Sequence, residues 1–155
     1  MEATAERPPD EGQAMALARV SSASEIADVS PTATEIRRAW IALVVVDVML
    51  WTGGFARLRW FMGRRAVAPR RPVPGDVQRI CAAVDRASLG YVRQTTCMQR
   101  SAAAARLLRR AGVSANVVVG CRRLPFYAHA WVEVEGQVVN DRPTVQERYP
   151  ELERF

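Results

Sequence analysis

Apolar positions along the chain fall into two helical blocks followed by a strand-rich block. The first block opens at Thr32, where Thr32 and Glu35 have the spacing of a capping box. From Ile36 the pattern predicts a helix through Trp51, which Gly53-Gly54 ends or bends. Between Ala39 and Trp51 the run is apolar except for Asp47. It falls short of the ~20 residues that cross a bilayer, so it predicts a buried helix and no membrane span. Trp40, Trp51, Phe55, Trp60 and Phe61 give the region an aromatic load beyond that of an ordinary core helix. Docking to a partner or to a membrane surface along Ile36 to Phe61 is the other reading.

The second block starts at Asp76, a candidate N-cap, with Val77, Ile80, Cys81 and Val84 at helical spacing. A further helix is predicted from Thr96. Thr96 and Gln99 form a second capping box, Cys97 is the first residue inside, and Gly112 is the stop. Cys97, Ser101, Ala104, Ala105 and Leu108 share one face, small enough to lie close against a sheet. Three strands follow: Asn116 to Cys121, Tyr127 to Glu133 and Gln137 to Asp141. Pro143 closes the last because it cannot donate to a ladder.

Charge divides the chain. Residues 1–30 hold six acids and two arginines, and the remainder holds ten acids and twenty arginines, giving the net +6. The acidic start reads as a disordered tail (1–30). Residues 31–75 read as a helical docking region with an arginine-rich linker, and 76–155 as the core domain. All 22 basic residues are arginine, which excludes a Schiff-base lysine or a Walker-type lysine. Three cysteines, one histidine and no CxxC pair argue against a zinc module. The linker arginines come without a nucleic-acid motif, so no nucleic-acid partner is expected. No signal-peptide pattern follows Met1, and the odd cysteine count suits free thiols in a reducing cytoplasm.

The candidate chemistry rests on three residues. Cys97 at a helix start meets the positive end of the dipole and unpaired N–H groups, which stabilise a thiolate; position alone leaves packing equally open. Cys81 and Cys121 read as packed cysteines. For the last two strands, a two-residue Glu135-Gly136 turn would need positive φ at Glu135. A three-residue Val134-Glu135-Gly136 loop needs it only at Gly136. That register opposes Glu133 to Gln137, Trp131 to Val139 and His129 to Asp141. A lone strand histidine is usually structural, but Cys97, His129 and Asp141 follow the order of a cysteine nucleophile, its base and the group that orients the base.

The segments CMQRS at Cys97–Ser101, LLRRAG at Leu107–Gly112 and PFYAHAWVEVEGQVVND at Pro125–Asp141 resemble the lasso-peptide leader peptidases of the transglutaminase-like cysteine-peptidase superfamily. The resemblance covers roughly Asp76 to Phe155. It implies an α+β fold, a transglutaminase- or papain-like core with the cysteine-bearing helix packed on a small antiparallel sheet, preceded by N-terminal helices. It also implies a Cys97–His129–Asp141 triad that removes the leader from a ribosomal precursor peptide, with no metal or other cofactor. A partner cyclase then closes the macrolactam. Residues 1–75 show no strands for a leader-recognition domain, so a separate recognition protein is expected as a partner. Two alternatives are acyl transfer to an amine and a non-catalytic peptide-binding scaffold.

Overall fold

A computed structural model describes residues 30–63 and 74–155. The acidic start, and the linker residues Arg64, Arg65, Arg70 and Arg71, lie outside the described residues. In chain order the elements are α1 (Ala33–Gly63), α2 (Pro74–Leu89), α3 (Cys97–Arg110), β1 (Ala115–Arg123), β2 (Phe126–Val134), β3 (Gln137–Val138), α4 (Val145–Arg148) and β4 (Glu151–Arg154). The architecture is α+β: α3 packs against a four-stranded antiparallel sheet of order β3-β2-β1-β4, and α1 and α2 precede it.

Helix α1 starts as its sequence predicts. Thr32 N–H donates to Glu35 Oε2 at 2.8 Å, and Glu35 N–H returns a bond to Thr32 Oγ1 at 3.3 Å. Gly54 adopts φ 62° and ψ −159°, so the helix bends there and continues to Gly63. Only glycine enters this conformation at little cost. By length and composition α1 is long enough to cross a membrane, where the apolar run alone is too short, and 22% of its most apolar window is buried. Its inward face, Ala39, Ala42, Leu43 and Val46, joins the core cluster of α2 (Val84), α3 (Ala105, Leu108) and the sheet (Val117, Val132). The helix expected as a docking region therefore shares one core with the rest of the fold. Its outward face leaves Trp40, Ile41, Val48 and Trp51 exposed.

Helix α2 begins three residues earlier than an Asp76 cap predicts. Pro74, with its φ already helical, opens it, and Asp76 sits in the first turn where the dipole favours an acid. Helix α3 has both bonds of its capping box. It stops where Gly112, at φ 85°, lets Val113 N–H reach back to the Leu108 carbonyl at 2.9 Å.

The last hairpin departs from the expected register. Val134 pairs with Gln137 and Glu133 with Val138, so the loop has two residues, with Glu135 at φ 51° and Gly136 at φ 80°. Both signs are positive, as in a type I′ turn, whose twist matches that of the flanking strands. A left-handed non-glycine residue costs about 1–2 kcal/mol, and the polar network below Val138 holds the register despite it. β3 is also shorter than expected. Val139 N–H still donates to the Val132 carbonyl at 3.0 Å, but the next ladder position is filled by a side chain. β4, absent from the sequence reading, pairs with the other edge of β1.

Candidate active site

The start of α3 is fixed from two sides. Gln99, the third residue of the helix, accepts Thr96 N–H at 2.8 Å through Oε1. Its Nε2 donates to Asp47 Oδ1 of α1 at 2.6 Å. Asp47, the one polar interruption of the apolar run, thus anchors the capping glutamine of the cysteine-bearing helix. Tyr91 Oη points at the other Asp47 oxygen from 3.4 Å. Cys97 follows the cap directly, half-buried and with a free thiol. The first N–H groups of a helix have no partner within it, so those of Cys97 and Met98 are open to an acceptor.

His129 and Asp141 meet. Nε2 of the imidazole lies 2.6 Å from Asp141 Oδ2, and the other carboxylate oxygen accepts Arg142 N–H at 2.7 Å. An Nε2–H donated to the carboxylate leaves Nδ1 as the basic nitrogen. The ring is framed by Trp131, stacked at 6.4 Å, and by Tyr149 at 5.2 Å. Gly120, opposite His129 on β1, makes room for that frame. A Cβ there would stand 2.6 Å from the Tyr149 carbonyl oxygen and 2.8 Å from Trp131.

The couple arises by a different route from the one the turn argument gives. In the observed register an uninterrupted ladder would place Asp141 opposite Ala130, on the other face from His129. The ladder does not continue. Asn140 Oδ1 accepts Val132 N–H at 2.6 Å in place of a main-chain carbonyl, and its Nδ2 donates to Ser101 Oγ at 2.9 Å. The backbone leaves the sheet at that point and carries Asp141 to the histidine.

The same network ties the helix to the strand. Ser101 Oγ donates to the Ala130 carbonyl at 2.9 Å, next to His129. Ser101 lies one turn after Cys97 on the same face, about 6 Å along the axis. A second link comes from α2. Asp85 pairs with Arg100 of the first turn of α3 at 3.1 Å. Burial raises the Asp85 carboxyl above its ordinary range against the opposing effect of Arg100, and Asp141 adds to the rise. Asp141 is thus within charge range of a residue paired to the helix start. Among the described residues, no hydrogen bond joins the Cys97 thiol to His129. The structure couples two of the three expected residues directly and links the third through its helix.

The remaining cysteines differ from Cys97. Cys81 is buried on α2, and desolvation, helped by Asp85, pushes its thiol up to about 12. Cys121 lies on β1. Gln94, ahead of the cap, is exposed. Among the described residues, no cluster of three or more His, Cys, Asp or Glu side chains could hold a metal ion. Asn140, Ser101, Asp47 and Tyr149 support the site, yet sequence reasoning gave them no role in it. Asp47 alone carried a signal, as a lone carboxylate in an apolar run.

A helix start bearing a cysteine, packed on an antiparallel sheet that carries a His–Asp couple, defines the class. The transglutaminase-like superfamily profile matches residues 40–154, and the chain belongs to that superfamily. Over 55 residues it is 42% identical to the microcin J25-processing protein McjB of Escherichia coli, a match that covers 36% of this chain and 26% of McjB. The chain therefore aligns with about a quarter of the length of that curated relative. No solved structure matches it significantly.

Proposed function

We propose that this protein is a cysteine peptidase that removes the leader from a lasso-peptide precursor, with Cys97 as nucleophile, His129 as base and Asp141 as the group that orients it. The observation that carries the reading is the 2.6 Å His129–Asp141 couple, built across an interrupted strand beside a helix that starts at a free cysteine. The similarity to a microcin J25-processing protein supports the substrate class.

In this mechanism Nδ1 of His129 takes the thiol proton as Cys97 attacks the scissile carbonyl. The Cys97 N–H receives the developing oxyanion, since the helix start leaves it unpaired. The imidazolium, steadied by Asp141, protonates the leaving amine. A water, deprotonated by His129, then releases the leader as a carboxylate and frees the thiol. The residues require no metal or nucleotide for these steps. A separate leader-recognition protein would meet the outward apolar face of α1, around Trp51, and a cyclase would close the freed core peptide.

The test is mass spectrometry of a synthetic precursor incubated with the protein, with and without the recognition protein. Leader loss that disappears in folded Cys97→Ala supports the reading. Undiminished cleavage by that variant overturns it. Incorporation of an added amine in place of water would assign the same residues to acyl transfer.

A further inference from the structure

We infer that an extended peptide binds as an added strand along the open edge of β2, its main chain paired to Ala128 immediately before His129. The occupant rests on the peptidase reading; the edge itself does not. β2 spans nine residues, and β1 pairs with all of them on one side. On the other side, β3 and the Val139 N–H reach only as far as Val132. In an antiparallel ladder, alternate residues direct both N–H and C=O to the same neighbour. Val132 directs its pair away from β1, toward Val139 and Asn140. By that alternation Ala130, Ala128 and Phe126 do the same. Ser101 takes the Ala130 carbonyl. Ala130 itself is buried, whereas Phe126 and Ala128 lie on the exposed end of the strand and their main-chain groups have no protein partner among the described residues.

Exposed edges are normally blunted by charge, proline or a covering element. From Phe126 to Ala130 the strand has no charged side chain and no proline. Phe126 is 76% exposed and Tyr127 56%. The open groups repeat every second residue, about 6.8 Å apart. Only another extended polypeptide main chain matches that repeat of donor and acceptor, as in strand addition to sheet edges. The edge runs directly into the His129–Asp141 couple, so a peptide paired at Ala128 is held straight where its next bond passes the imidazole. Main-chain pairing fixes conformation with little demand on side chains. This assigns sequence choice to the ends of the edge, at Phe126, or to a partner protein.

The test separates the edge from the chemistry. In the Cys121→Ser protein, the 2-pyridyl disulfide of acetyl-tetraalanine-cysteamine exchanges onto Cys97 with release of pyridine-2-thione, which needs an accessible thiol but no catalysis. Amide exchange is then followed by NMR at Ala128, Ala130 and His129. The expected result is exchange slowed at least tenfold at Ala128, unchanged at buried Ala130 and at His129, and unchanged everywhere with cysteamine alone. Alternate N-methylation of the tetraalanine should abolish the protection. Equal exchange with and without the peptide overturns the proposal. So does protection that follows protein concentration instead, which would mean that two copies pair at this edge. In a parallel measurement, Ala128→Pro removes one outward N–H and no bond to β1. It should lower kcat/KM for precursor at least fivefold with an unchanged melting temperature and unchanged iodoacetamide labelling of Cys97. Unaltered kcat/KM would count against the edge even if Cys97→Ala is dead.

Discussion

His129 and Asp141 divide the work of a general base between a proton acceptor and its orienting anion. His129→Ala removes the base altogether and should lower kcat by roughly 10²–10⁴-fold. Asp141→Asn keeps a hydrogen-bond partner near Nε2 but loses the charge that steadies the imidazolium, so its loss should be smaller. Leader release by the two variants, followed by chromatography, orders them. Gly120 is the other residue on which the site depends. In Gly120→Ala the new methyl group meets the Tyr149 backbone and the Trp131 ring at under 3 Å. Overpacking of this kind costs about 1–3 kcal/mol, and here it also displaces the frame around His129. Thermal melting and leader release should fall together.

Among the elements, α3 and its cap were the most legible in the sequence, because a capping box is a local signal fixed by a few residues. The bend at Gly54 and the stop at Gly112 were readable for the same reason. The hairpin was not. Propensity disfavours positive φ at Glu135, but the turn is selected by contacts far along the chain, Asn140 to Ser101 and Val132. β4 escaped because Glu151–Arg154 is short and polar; it forms on the open side of β1, with Arg154 reaching the buried Glu133 at 2.6 Å. The His129–Asp141 couple was legible as a pair of residues but not as a path, since the path needs the strand to break at Asn140. Asn140→Ala should therefore do more than loosen a loop. It leaves the Val132 N–H unpaired in a partly buried setting, at about 1–3 kcal/mol, and releases Asp141 from its approach. Its kcat should drop further than a melting shift of the same size would explain, measured against Leu43→Ala, which destabilises the core away from the site.

At the scale of the whole molecule, the superfamily core extends into α1, and residue 75 does not divide the hydrophobic core. Among the described residues, Glu133 is a buried acidic hub in an arginine-rich protein. Burial tends to raise the Glu133 carboxyl, but hydrogen bonds from Gln146, Trp131 and Arg154 outweigh it and hold it below the ordinary 4.5. A carboxylate lowered on folding contributes stability above its unfolded value, and that stability is lost as pH falls through the folded value. Melting temperature should thus hold steady from neutrality to about pH 5 and decline below the ordinary carboxylate range. In Glu133→Gln the acid slope should be shallower and the neutral-pH stability lower. Melting curves across pH 3 to 7 measure both.

The proposed chemistry predicts a covalent intermediate, and its capture is the most direct measurement. Precursor and protein are mixed in H₂¹⁸O, quenched in acid at short times and examined by intact-mass spectrometry with peptide mapping. A thioester between the new leader C-terminus and Cys97 is expected, absent in Cys97→Ala, with a single ¹⁸O in the released leader carboxylate. Leader release without any adduct on Cys97, continuing in the Cys97→Ala protein, would contradict the account.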